Sequence, residues 1–165
     1  MAALTAGRQG PDFTLPAMDG KQFSLREALT HGPVLPAFFK ISCPVCQFAF
    51  PFIERIYRAY KNPNMTIVGV SQNGKKETAA FIKEYGITFP VLLDDTGTYP
   101  VSNAYGLTNV PSLFWIAPDG EIAISSVGWL RKDIEEIGRK AAQSRGADPM
   151  PVCRSDEAVP DFRAG

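Results

Sequence analysis

The apolar run Val34–Phe39 leads almost directly into Ser42-Cys43-Pro44-Val45-Cys46, and an apolar repeat at helical spacing starts at once behind it. A short apolar run bounded by turn residues, here Gly32-Pro33, reads as a buried strand. Val45, Phe48, Ala49, Phe52, Ile53, Ile56 and Tyr60 then mark one face of a helix reaching about Tyr60. The two cysteines therefore sit on a strand-to-helix turn. Two prolines test this reading. Pro36 cannot donate to a sheet ladder, so it is expected near the strand start or at an irregularity. Pro51 falls inside the helix and is expected to kink it.

The rest of the chain alternates in the same way. Pro11–Leu15 and Lys21–Ser24 read as two strands of a hairpin turning at Asp19-Gly20, with Ser24 capping a short helix through Thr30. Met65–Val70 reads as a central strand, Lys75–Tyr85 as a helix stopped by Gly86, and Val91–Leu93 as a short strand. Val101–Tyr105 is expected as a short helix before Gly106. Leu113–Ile116 and Glu121–Val127 are expected to pair across a turn at Pro118-Asp119-Gly120. Leu130, Ile134, Ile137 and Ala141 mark a last amphipathic helix. The fold class expected is α/β, a mixed central sheet flanked by helices. The division expected is one domain over residues 1–143 and a Pro-rich tail over 144–165, extended or partly disordered.

Composition narrows the function. Lys plus Arg and Asp plus Glu both number 17, so no basic field draws nucleic acid or an anionic membrane. No stretch has the length or apolarity of a membrane span. No basic start followed by an apolar segment opens the sequence, and a Met stands first; a cytoplasmic protein is expected. The 3 cysteines are too few, and odd in number, for a disulfide-stapled scaffold.

The chemistry expected is thiol–disulfide exchange by Cys43 and Cys46. At a helix start the first backbone N–H groups are unpaired and the dipole is positive, and both favour a thiolate, the attacking species in exchange. Cys43 is then the nucleophile. Cys46, one turn in, releases the mixed disulfide and is expected to be more buried. Pro44 suits the first helical position. Two other readings stand beside this one: half of a zinc site, for which only His31 and Cys153 could supply further ligands, and inert thiols. No metal is expected, and no cofactor beyond the redox-active Cys43–Cys46 disulfide.

These features together resemble the thioredoxin superfamily, in its TlpA/ResA-like branch grouped with the AhpC/TSA redoxins. Gly10-Pro11-Asp12-Phe13-Thr14-Leu15 is similar to that branch's N-terminal hairpin, and Phe38–Cys46 to its strand leading into C-x-x-C. Pro51 matches the proline within its active-site helix. Tyr85–Asp94 is similar to the segment after the branch's extra βα insertion, Tyr105–Phe114 to its cis-proline loop, and Pro118–Ile122 to its last hairpin. The match spans about residues 7–143. It implies an enzyme exchanging disulfides with protein thiols, expected as a monomer. It implies a cis Pro111 facing Cys43, with Val110, Pro111, Pro44, Val45 and Ser42 contacting the substrate strand.

The sequence departs from the pattern in three places. Ser42 stands where the family has Trp, Ala37 where thioredoxins carry a buried acid, and the tail with Cys153 has no counterpart. The proton of Cys46 must then go to water or to another group, for which Lys40 and Glu54 are the candidates. No His follows the cysteines, as copper-carrying relatives would have. Cys153 could pair with Cys43, with another chain or with a partner, or be a free thiol on a mobile tail. His31 is expected in a solvated loop, Trp115 and Trp129 in packing, and Phe39 and Phe48 beside a groove or in the core. The tail's Val159-Pro160-Asp161-Phe162 echoes Pro11-Asp12-Phe13 and could imitate that edge segment, although three shared letters are short enough to arise by chance.

Two further functions compete. Pro36 and Cys43 have the spacing of a peroxiredoxin-like peroxidase, with Cys43 as peroxidatic cysteine, but Lys40 stands where that family needs Thr or Ser. The other is a redox-inactive binding module on the same scaffold.

Overall fold

A computed structural model describes residues 2–165. Strands β1 (Thr14–Pro16) and β2 (Gln22–Ser24) form the expected antiparallel hairpin, and Ser24 Oγ accepts from Glu27 N–H to cap helix α1 (Leu25–Leu29). The remaining elements are β3 (Val34–Phe39), α2 (Pro44–Tyr60), β4 (Thr66–Ser71), α3 (Lys75–Tyr85), β5 (Val91–Leu93), α4 (Pro100–Ala104), β6 (Ser112–Ile116), β7 (Ile122–Val127), β8 (Trp129–Leu130), α5 (Arg131–Arg145) and β9 (Phe162–Arg163).

The main sheet has the order β5-β4-β3-β6-β7, with β3–β4 and β4–β5 parallel and the other pairs antiparallel. β3 is its middle strand, and side chains alternate across it. Leu35, Ala37 and Phe39 face a core shared with α2, α3 and α5, and Val34 and Phe38 face a second core built with the hairpin, α1 and α4. The same alternation places Leu113 and Trp115 on one face of β6 and Phe114 and Ile116 on the other. Burial on both faces explains why β3 reads as an unbroken apolar run. Each buried Phe there contributes roughly 1.5–3 kcal/mol.

Pro36 sits in mid-strand, opposite Val68 of β4. Toward β6 the ladder pairs Val34 with Ile116 and Ala37 with Leu113, and it is interrupted at residues 35 and 36. The missing N–H thus falls at the irregularity the sequence demands. Pro51 lies inside α2 on its exposed side. Gly86, at φ 64°, ends α3 in the left-handed conformation that glycine adopts without steric cost.

The segment after α5 follows an irregular path, as its composition suggests, but it is not loose. Val152 and Cys153 are buried, and their N–H groups donate to the Glu135 carboxylate at 3.0 and 2.8 Å. Arg55 on α2 forks onto Glu157 at 2.8 and 3.0 Å and also donates to the Val152 carbonyl at 2.6 Å. Farther on, β9 pairs antiparallel with β8, and Trp129 Nε1 donates to the Pro160 carbonyl at 2.7 Å. Partners held this far away in sequence leave no periodic trace. Among the described residues, no helix is long and apolar enough to cross a membrane.

Candidate active site

Cys43 is the N-cap of α2 and Pro44 its first residue. The Cys46 N–H, otherwise an orphan of the first turn, donates to Cys43 Sγ at 3.2 Å. The helix start thus presents a donor to the Cys43 sulfur. The loop before it is pinned on both sides. Ile41 N–H donates to Asn73 Oδ1 at 2.9 Å, and Gln47 Nε2 donates to the Ile41 carbonyl at 2.9 Å. Neither Gln47 nor Asn73 was expected at the site. Gln47 stands one helical turn after Cys43, a position from which a side chain reaches back over the turn. Asn73 follows β4, which lies parallel to β3, so both strands deliver their loops to the same sheet end.

The Val110–Pro111 peptide is cis, as the family resemblance implies. The Cys43 thiol donates to the Val110 carbonyl at 3.4 Å. Residues 67 positions apart are thereby joined at the carboxyl end of β3, where the chain continues to β4 on one side and β6 lies on the other. In open α/β sheets such a switch point is where ligands bind.

Burial separates the two thiols. Cys43 is half-buried, whereas Cys46 has no exposed surface. Burial pushes the Cys46 thiol well above the ordinary range, and the hydrogen bond with Cys43 pushes it further; the Lys40 backbone opposes this more weakly. Ser42 and Pro44 are exposed beside Cys43. Val45, expected on the substrate face, is 8% exposed and packs into the core. A cleft of about 220 Å³ lined by Lys40, Gln72, Tyr99, Ser102, Asn109 and Val110 adjoins the pair through Val110.

Glu54, considered as the group that serves Cys46, is committed elsewhere. It lies two turns farther along α2, about 12 Å by helix rise. Its buried carboxylate accepts from Thr88 N–H at 2.7 Å, Thr88 Oγ1 at 2.5 Å, Phe89 N–H at 3.3 Å and Arg58 Nε at 2.6 Å. It is a structural clamp on the loop before β5. The Lys40 side chain is exposed and lines the cleft.

Cys153 is buried rather than exposed on the tail, and all three cysteines are free thiols. Burial raises its thiol to about 11, and the Glu135 carboxylate adds to the shift. Trp115 and Trp129 are core residues, as is Phe39. Phe48 is half-buried against Trp129, with the Arg163 guanidinium 5.0 Å from its ring centroid. Among the described residues, no group of three or more His, Cys, Asp or Glu side chains could hold a metal ion.

The AhpC/TSA family model matches residues 6–125, from the N-terminal hairpin through the C-x-x-C turn and the cis-proline loop into β7. This chain belongs to the AhpC/TSA family. Within that family it is similar to thiol-disulfide oxidoreductase ResA of Halalkalibacterium halodurans, at 31% identity over 132 residues, covering 79% of this chain and 73% of that one. Thiol-disulfide oxidoreductase ResA of Geobacillus kaustophilus is 30% identical over 135 residues, 81% of this chain and 76% of its own. The fold of this AhpC/TSA chain is that of the thioredoxin domain of a Bacteroides vulgatus thiol-disulfide oxidoreductase. The TM-score is 0.74 at 23% identity, covering 84% of this chain and 98% of that one. It is shared also by peroxidoxin BcpB of Mycobacterium tuberculosis, with a TM-score of 0.67 at 19% identity, covering 86% of this chain and 97% of that one. The scaffold alone therefore does not choose between exchange and peroxidase chemistry; the cysteines do.

Proposed function

We propose that this chain is a thiol–disulfide oxidoreductase that exchanges the Cys43–Cys46 dithiol and disulfide with protein partners. The observation that carries the reading is the arrangement around Cys43. Its half-buried sulfur takes the Cys46 amide at 3.2 Å and lies 3.4 Å from the Val110 carbonyl, with the second thiol buried one turn behind.

In the reducing direction the Cys43 thiolate attacks one sulfur of a partner disulfide. A Cys43–partner bond forms, the partner S–S bond breaks, and the other partner sulfur leaves as thiolate and takes a proton. Cys46 loses its proton and attacks Cys43 Sγ. The Cys43–Cys46 bond forms and the second partner thiol departs. The partner gains two electrons and two protons, and the dithiol loses them. Both steps run backwards when the chain acts as oxidant. The Cys46 amide lies where charge gathers on Cys43 Sγ as attacker and as leaving group.

Val110 and Pro111 are the proposed backbone contact for an extended partner segment, with Ser42, Pro44 and the rim of Val45 beside it. The proposed redox unit is residues 1–143, with 144–165 docked upon it. The chemistry requires no group besides the two cysteines. A peroxidase would need a polar hydroxyl three residues before Cys43, and Lys40 stands there.

The deciding experiment is the reduction potential of the Cys43–Cys46 couple in a Cys153→Ser background, by equilibration against dithiothreitol or glutathione. A reversible two-electron couple is expected. A value near roughly −270 mV marks a reductant of partner disulfides, and one near roughly −120 mV a disulfide donor. Absence of any reversible couple would sink the proposal and favour a redox-inactive binding module.

A further inference from the structure

Phe162 and Arg163 pair with β8, and Gly165 behind them lies against the backbone of Val110, the edge that a partner strand would use. A Cβ built on Gly165 would stand 2.4 Å from the Val110 carbonyl oxygen and 3.0 Å from its carbon, so only glycine lets the two backbones lie this close. That carbonyl is the one Cys43 Sγ faces. Next to it, Asn109 Nδ2 donates to the Gly165 carbonyl at 3.1 Å. A second glycine completes the fit. Gly128 has φ 78°, and a Cβ there would lie 2.6 Å from the Arg163 carbonyl oxygen and 3.0 Å from Gly165 N. Arg163 also covers the ring of Phe48.

The segment is firmly tethered but lightly held at its tip. Residues 152–157 are fixed by burial of Val152 and Cys153 and by Arg55, Glu135 and Glu157. Beyond Pro160 every residue except Arg163 is exposed, and Phe162 shows 59% of its surface. Few buried apolar contacts mean that the tip opens locally at far lower cost than the domain unfolds. The tether keeps its local concentration high, so it competes with any partner in solution.

We propose that Phe162–Gly165 is an intramolecular occupant of the partner-strand position at Val110, and that it sets substrate preference. Small disulfides reach the half-exposed Cys43 past it, whereas polypeptide disulfides must first displace it. The inference rests on the reading of Val110 as the partner's pairing site. It adds that partners are selected by how well an extended segment replaces Phe162–Gly165 between Val110 and Gly128.

Two variants test it: a chain ending at Asp161, and the full chain with Gly165→Val, which keeps every other side chain. Each is assayed against insulin disulfides and against 5,5′-dithiobis(2-nitrobenzoate). Apparent affinity scales with the open fraction, so KM for insulin should fall about five- to twenty-fold in both variants. Turnover of the small disulfide should stay within about two-fold. An unchanged or weakened insulin KM would overturn the proposal. So would an equal gain on both disulfides, because the segment would then shield Cys43 from everything. If the shortened chain loses its thermal transition, Gly165→Val decides. Failure of the unaltered protein on both disulfides would instead overturn the oxidoreductase reading itself.

Discussion

The Cys46 N–H points at Cys43 Sγ from 3.2 Å, so in the proposed exchange one residue would stabilise the attacking sulfur through its backbone and resolve the product through its side chain. The division follows from position, because the N-cap and third residue of a helix face each other across the first turn. In this helix the cap side chain, Cys43, stays partly exposed and the third-position side chain, Cys46, enters the core.

Cys43→Ser is expected to abolish exchange, by more than about a thousand-fold, because no other exposed thiol exists to attack. Cys46→Ser keeps the attack and loses the release. Incubated with a protein disulfide, it should accumulate a covalent adduct through Cys43, seen by mass spectrometry under non-reducing conditions and dissolved by dithiothreitol. No adduct with Cys46→Ser would contradict the assigned order of events.

Release of the mixed disulfide should accelerate with pH. Burial holds the Cys46 thiol protonated well past neutrality. The reactive thiolate is then a small fraction that grows about tenfold per pH unit, with no plateau below pH 9. Stability runs in the opposite sense. A thiol raised in the folded protein contributes stability fully present below the unfolded value of about 8.5, lost as pH rises toward the folded one. Stopped-flow release between pH 6 and 9 is the measurement, and a plateau near pH 7 would contradict it.

Glu54→Ala should destabilise the fold by about 3 kcal/mol, since it leaves the Thr88 and Phe89 amides and Arg58 without their acceptor. Per folded molecule, the rate of small-disulfide exchange should hardly change. Denaturant titration together with the exchange rate separates the two effects. A loss of rate without loss of stability would restore Glu54 as a candidate to take the Cys46 proton.

Cys153 should resist iodoacetamide at pH 8 in the native protein and react readily once unfolded, because its thiol is buried and raised to about 11. Cys153→Ser should leave the Cys43–Cys46 potential unchanged. Peptide mapping after timed alkylation reads the first, and equilibrium with glutathione the second. Rapid native labelling would mean that residues 152–157 open freely.

The sequence by itself determined the elements and the chemical pair. Val34–Phe39, Lys75–Tyr85 and the Cys43–Cys46 turn are legible because strand and helix periodicity, glycine stops and cap positions act within a few residues. The mixed sheet followed from the order of those elements. Tertiary structure decided what depends on distant partners. Glu54 is a clamp because Thr88 and Phe89 come to it, and Phe48 is a covered ring because Arg163 returns over it. The segment after α5 is docked because Arg55 meets Glu157 across 102 residues of chain. No local pattern encodes such meetings; they depend on which surfaces the closed sheet brings together. The approach of Gly165 to Val110 is the clearest case, since a glycine in an aperiodic segment acquires its meaning only from the carbonyl it lies against.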